Sequence, residues 1–306
     1  MLCGAPLRIV LDLGRQPLAN ALLRTAAEPS PTYPLRLGHC GCGHLQLADR
    51  VPPRALFTDY VYRTGANRPM VEHFELLAQV LPVWMPQPRT WVCEVGSNDG
   101  TFLRALRGSE TKHSPGGLKA VGVDPSSVAR EVEGTVPKFF SAETAGELLA
   151  EHGPAGAVVM SNVLAHCPDP RVLLAGARDL LPYGGVLVIE VPWARHLTWD
   201  AIYHEHYSFW TATALERLLR THGFHVERVQ QLPIHGGSLR VFARRAIVER
   251  EAAPPADWLR GEVAGGGCHA WSRLLLMERY LGDLWSGLQE RCEAHRRSLW
   301  ELCDDA

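Results

Sequence analysis

The chain has 306 residues, 46% of them apolar and 21% charged, with a formal net charge of −2. That length admits about two domains of ~150 residues and ample sequence for a buried core, which excludes a disordered tail or a disulfide mini-protein. The near-balanced charge offers no broad footprint for phosphate backbones, so nucleic acid is not an expected partner. Eight cysteines are spread unevenly, unlike a dense secreted framework. No apolar run reaches membrane-spanning length, and the opening MLCGAPLRIVLDLG lacks the basic-then-apolar plan of a signal peptide. These features read as a reduced, cytoplasmic protein with no membrane partner.

Along the first 55 residues, short extended runs (Leu7 to Leu13, Tyr33 to Leu37, His44 to Leu47) alternate with Gly and Pro. No helical period there is long enough to form a core, so the segment needs a metal or a neighbouring domain to hold it. From Arg68 to Leu81 the apolar positions Met70, Val71, Phe74, Leu77, Ala78 and Leu81 predict an amphipathic helix. Strands are then predicted over Trp91 to Val95, Ala120 to Val123, Gly156 to Met160 and Gly185 to Val191. Helices are predicted near Phe102 to Leu106 and over Leu173 to Leu181, the latter stopped by Pro-Tyr-Gly-Gly. A helix over Thr213 to His222 and strands over Phe224 to Val229 and Ser238 to Ala243 complete the unit. Repeated strand, helix, strand implies a parallel sheet wound on both faces, an α/β class. After Arg245 an Ala/Pro/Gly-bearing stretch leads to a helical pattern from about Ala270 to Leu302. The expected organisation is a small module over 1–58, an α/β domain over 59–248 and a helical extension over 249–306.

Three strings carry chemistry. Glu94-Val95-Gly96-Ser97-Asn98-Asp99-Gly100 follows a strand and precedes a helix, where glycines let a ligand approach the backbone and the helix offers free N–H groups. Asp124, 28 residues after Gly96 at the next strand end, can accept from two ribose hydroxyls, and Ser126 lies beside it. A nucleoside-containing cofactor fits, and E-x-G-x-x-x-G is the class I methyltransferase pattern for S-adenosylmethionine, not the dinucleotide G-x-G-x-x-G. Asn162 and His166 follow the third strand, whose carboxyl end lines the ligand crevice of an open sheet. The string Tyr203-His204-Glu205-His206-Tyr207 places imidazole beside carboxylate and phenol, an acid–base candidate near neutral pH. His204 and His206 as metal ligands are a second reading, although their spacing is not that of a zinc protease helix.

Taken together the strings resemble the sugar C-methyltransferase family of antibiotic biosynthesis, whose members methylate nucleotide-linked 4-keto-6-deoxy sugars. The matching text, in family order, is LDLGRQPLAN, YVYRTGANRPMVEHF, EVGSNDG, DPSS, FFSAETA, NVLAHCPDP, YHEHYSFW and LPIHGGSLR. The resemblance implies a class I methyltransferase, Rossmann-like doubly wound fold that takes S-adenosylmethionine at Glu94, Gly96, Asn98, Gly100, Asp124, Ser126 and Asn162. It further implies His206 as catalytic base with Tyr203 and Glu205 beside it, and His166, Tyr60 and Tyr62 in the substrate pocket. It also implies a structural zinc held by two C-x-x-C knuckles near the start. Here Cys3 stands where the second cysteine of the first knuckle is expected, and the second knuckle reads His39-Cys40-Gly41-Cys42, with either His39 or Cys40 available beside Cys42. Three ligands plus a water is one arrangement. The family's C-terminal domain is expected to be missing, its place taken by the helical extension.

The chemistry implied is removal of a proton from a carbon beside a ketone by a base, with a donor at the enolate oxygen, then attack of the enolate carbon on the sulfonium methyl. His166, Tyr62 and Tyr203 are all available as that donor. Two alternatives stay open on the residues alone: methylation of a small non-sugar keto or hydroxyl metabolite, and a non-catalytic scaffold that keeps the fold.

Overall fold

The computed structural model describes residues 2–246, apart from 26, 59, 87–89 and 112–114, together with 288–294 and 297. The predicted runs near the start form an antiparallel sheet: β1 (Leu7–Pro17), β2 (Thr32–Cys40) and β3 (Leu45–Leu47). Too little apolar sequence lies in these strands to close a core, and the rest comes from far along the chain. A short helix α1 (Pro53–Phe57) follows, and α2 (Arg68–Trp84) opens at an Asn67 cap whose side chain accepts from the Met70 N–H. The α/β unit continues as β4 (Val92–Val95), α3 (Thr101–Gly108), β5 (Ala120–Val123), β6 (Thr135–Val136), α4 (Ala142–His152), β7 (Ala157–Ser161), α5 (Pro170–Leu180) and β8 (Val186–Pro192). It ends with β9 (Ser208–Phe209), α6 (Ala212–Thr221), β10 (Phe224–Leu232) and β11 (Ser238–Arg245).

Seven strands form the main sheet in the order β10-β11-β8-β7-β4-β5-β6. Side chains alternate between its faces as a pleat requires. Val92, Val159 and Val188 join a core with Phe74, Leu77, Phe102 and Leu103 of α2 and α3. Cys93, Val158 and Ile189 join the opposite core with Leu148, Leu174 and Leu215 of α4, α5 and α6. The doubly wound arrangement follows from that double burial. The sheet is mixed, not parallel throughout: β11 runs antiparallel to β8 and to β10. The short link between β10 and β11 makes them a hairpin, which forces opposite directions.

β9 does not join the main sheet but pairs with β3, with Leu45 opposite Phe209. The segment between β8 and α6 is thereby tied to the N-terminal sheet, and Ala194, Ile202 and Phe209 bury Leu11, Leu37 and Leu45. Leu288 and Cys292, one helical turn apart on residues 288–294, pack into the same core. The remainder of the expected helical extension lies outside the described residues. Among the described residues, no helix is long and apolar enough to cross a membrane.

Candidate active site

Strand order reverses at β4, with β5 on one side and β7 on the other, which opens a crevice at the carboxyl ends of these strands. The Gly96–Gly100 turn sits there. Gly96 and Gly100 have φ of +75°, and a Cβ on Gly96 would lie 2.5 Å from the Val163 side chain. Only glycine gives both that backbone conformation and that closeness. Asp124 accepts the Asn98 N–H on Oδ2 at 2.9 Å and the Ser126 N–H on Oδ1 at 2.8 Å. Each carboxylate oxygen keeps a lone pair for a further donor. Glu94 is buried, and burial together with the nearby Asp124 charge pushes its carboxyl well above the usual range.

Among the described residues, the buried polar atoms without a hydrogen-bond partner at these strand ends include Glu94 Oε2, Ser126 Oγ and Asn162 Oδ1. Orphaned atoms of this kind are costly unless a ligand meets them, and all three can accept a hydrogen bond. The crevice therefore fits the hydroxyls and amino groups of S-adenosylmethionine. The Asn98 side chain also holds the neighbouring segment. Its Oδ1 accepts the Thr64 N–H at 3.0 Å and its Nδ2 donates to the Tyr62 carbonyl at 2.9 Å, which clamps the tyrosine-bearing segment onto the glycine turn.

Beyond Asn162, the 3-10 turn Leu164–His166 brings His166 to within 4.8 Å of His206, ring centroid to ring centroid. Nδ1 of His206 faces the Ala201 carbonyl at 3.2 Å and Nε2 faces the Tyr203 hydroxyl at 2.9 Å. A carbonyl only accepts, so Nδ1 carries the proton, and the phenol donates to Nε2. His166 repeats the pattern, with Nδ1 donating to the Glu205 carbonyl at 2.9 Å. Burial lowers both imidazoles, His166 to about 4 and His206 well below its ordinary value, so both are neutral at pH 7. A neutral His166 with its proton on Nδ1 has none on Nε2. It cannot donate to an oxyanion, which removes it from the expected donors and leaves the tyrosines.

Tyr60 lies edge-on to His166 at 6.4 Å and next to Tyr62 at 6.3 Å. Burial and the Glu205 charge push the Tyr60 phenol up to about 12, and burial with the neighbouring Tyr60 and Glu205 pushes Tyr203 up as well. Both therefore stay protonated and able to donate. Phe57, which carries no signal in the sequence, packs edge-on against both Tyr60 and His166. His204 turns away from His206 to meet the Tyr33 carbonyl at 3.3 Å, so the two do not converge on a metal.

Asn20 and the trio His73, Glu190 and Arg240 carry no signal in the sequence either. Asn20 donates to Glu205 Oε1 through both its backbone N–H and its side chain. Glu190 is fully buried between His73 at 2.8 Å and Arg240 at 2.5 Å. Burial opposes its charge, but the His73 hydrogen bond and Arg240 more than offset this and hold its carboxyl below the usual range. The trio fastens α2 to β8 and β11 and so fixes the helix that follows the tyrosine segment.

In the N-terminal sheet, the Sγ atoms of Cys3, Cys40 and Cys42 lie within 4.8 Å of one another. Zn–S bonds of about 2.3 Å need thiolates gathered at such separations, so the three fit a shared zinc. His39 is not among them. It neighbours Cys40 on β2, and strand alternation sends successive side chains to opposite faces. The alternative of His39 or Cys40 beside Cys42 is thus resolved geometrically for Cys40.

A family model described as "Methyltransferase domain" matches residues 67–229, and one described as "Putative zinc binding domain" matches residues 1–57. The chain is 32% identical over 272 residues to C-methyltransferase NovU of Streptomyces niveus, a match covering 84% of this chain and 63% of that protein. Among solved structures it is similar to a SAM dependent methyltransferase from Archaeoglobus fulgidus, with 17% identity, a TM-score of 0.45, and 57% of this chain and 94% of that one covered. It is also similar to magnesium protoporphyrin IX methyltransferase from Synechocystis PCC 6803 with bound SAM, with 16% identity, a TM-score of 0.39, and coverage of 63% and 89%.

Proposed function

The chain belongs to the methyltransferase-domain family, and from that premise we propose that it moves a methyl group from S-adenosylmethionine to a carbon beside a ketone, on a nucleotide-linked keto-deoxysugar. The observation that carries this reading is the continuity between crevice and acid–base cluster. Asn162, with its orphaned Oδ1, and His166, against His206, are only four residues apart on the turn after β7. S-adenosylmethionine, when bound by Glu94, Gly96, Gly100, Asp124, Ser126 and Asn162, supplies an electrophilic methyl on a sulfonium sulfur.

His206 Nε2 takes the proton from the carbon beside the ketone, and the electron pair of that C–H bond moves toward the carbonyl oxygen. The Tyr203 hydroxyl, released from Nε2 as that proton arrives, or the hydroxyl of Tyr62, donates to the oxygen that gains charge. Glu205 Oε2 is buried without a partner and accepts a hydroxyl of the acceptor, which favours a sugar over a plain ketone. Likeness to a C-methyltransferase supports the carbon as the methylated atom.

The direct test incubates the purified protein with methyl-labelled S-adenosylmethionine and either a nucleoside-diphosphate 4-keto-6-deoxy sugar or a small keto acid. Label in the sugar supports the reading, whereas label only in the keto acid, or in neither, overturns it.

A further inference from the structure

The N-terminal segment before β2 reaches the acid–base cluster at Asn20. Asn20 donates to Glu205 Oε1 twice, from its backbone N–H at 3.2 Å and from its side-chain amide at 3.0 Å, across 185 residues of sequence. Glu205 is 1% exposed, and its second oxygen, Oε2, is buried with no partner at all. One oxygen of the carboxylate is thus satisfied by the module that bears the thiols and the other is left open, while its charge acts on Tyr60 and Tyr203.

A buried carboxylate with one oxygen held and one free has a defined direction, whereas one with neither held can rotate about its last bond. We propose that Asn20 is a positioning residue of the active site: it fixes Glu205 so that Oε2 meets the hydroxyl of the acceptor, and the N-terminal module thereby contributes to methyl transfer. This inference rests on the function proposed above. Asn20 touches Glu205 and not the reacting atoms, so its effect is on acceptor placement and not on the cofactor.

The test measures kcat and KM for a nucleoside-diphosphate 4-keto-6-deoxy sugar, with calorimetric S-adenosylmethionine affinity as the internal control. Asn20→Ala is expected to lower kcat/KM for the acceptor about tenfold to a hundredfold, as expected for one charge-assisted hydrogen bond, and to leave cofactor affinity within about twofold. In Asn20→Ala/Glu205→Gln the loss should be no larger than in Glu205→Gln alone, because both changes remove one interaction.

Asn20→Asp supplies a readout that general loosening would not give. Two adjacent carboxylates share a proton at acid pH, where the shared proton replaces the lost amide donor, and repel each other once both ionise. Activity in Asn20→Asp should therefore recover toward acid pH and fall as pH rises, while Asn20→Ala keeps the wild-type pH profile. Wild-type kinetics in Asn20→Ala, or losses that multiply in the double variant, would overturn the positioning role while the function stands. Failure of the wild-type protein to methylate any ketone would overturn the function and this inference with it.

Discussion

The Tyr203 hydroxyl donates to Nε2 of His206 at 2.9 Å while the other nitrogen of that ring is held by the Ala201 carbonyl. The contact fixes which nitrogen is basic and sets a proton donor against it. His206→Ala should abolish methyl transfer, a fall of about 10²–10⁴ for loss of a general base, with cofactor affinity within about threefold of wild type. Tyr203→Phe keeps the ring and the base but loses the donor, and kcat should fall about tenfold or more. Steady-state kinetics beside calorimetric titration separates the two effects.

Both histidines of the cluster are held neutral by burial, and this has consequences for pH. Because the His206 base is held well below the ordinary imidazole range, kcat should stay flat as pH falls through about 6.5, where an ordinary imidazole would lose activity. For stability the unfolded chain protonates its histidines near 6.5, whereas folded His166 resists until about 4. The unfolded state therefore binds more protons in that window, and stability falls as pH drops from about 6.5 to 4, by up to about 1.4 kcal/mol per pH unit for each such histidine. Urea denaturation at pH 7 and pH 5 measures this, and the slope should be smaller in His166→Asn.

In the cofactor crevice, Asp124 holds two backbone N–H groups and is the candidate for the ribose hydroxyls. Asp124→Ala should weaken S-adenosylmethionine binding about tenfold to a hundredfold, the worth of hydrogen bonds to a charged group. Gly96→Ala forces a Cβ to within 2.5 Å of Val163 at a φ of +75°. It should cost about 1–3 kcal/mol of stability and lower cofactor affinity as well, both readable by thermal melting with and without cofactor.

The three gathered thiols make a prediction about metal content. The purified protein should hold about one zinc per chain by elemental analysis, and Cys42→Ser should lose most of it. Removal by chelation should open residues 1–57 to proteolysis and reduce methyl transfer, since β3 pairs with β9 two residues beyond His206. Protease resistance of the chelated protein equal to that of the untreated one would count against a structural metal.

The fold was legible where local pattern and burial agree. Ala120–Val123 is a strand in the sequence and in the structure because an apolar run bounded by polar residues is buried on both faces. The helix Ala142–His152 is not legible in the sequence although Ser141 caps it and Gly153 ends it, because Ala and Glu dilute its apolar stripe to few large residues. β9 is two residues long, and nothing local in Ser208–Phe209 announces a partner in β3. The direction of β11 depends on a hairpin that periodicity does not show.

At the site, the histidines and tyrosines could be named from their strings, but their proton positions could not. Only the Glu205 carbonyl shows that His166 holds its proton on Nδ1, and only the Ala201 carbonyl shows the same of His206. Asn20 stood in the sequence within LDLGRQPLAN without a role, since its partner lies in the other module. His39 and Cys40 were equivalent until the phase of β2 separated them.

In the proposed reaction a proton leaves a carbon beside the ketone and a methyl group takes its place there. Nuclear magnetic resonance of the sugar product made with ¹³C-methyl S-adenosylmethionine tests this most directly. The product should carry a new carbon–carbon bond at the position beside the ketone, with the proton of that carbon lost to solvent, and His206→Ala should give no product. A methyl group on oxygen or nitrogen, or a product in which that proton is retained, would contradict it.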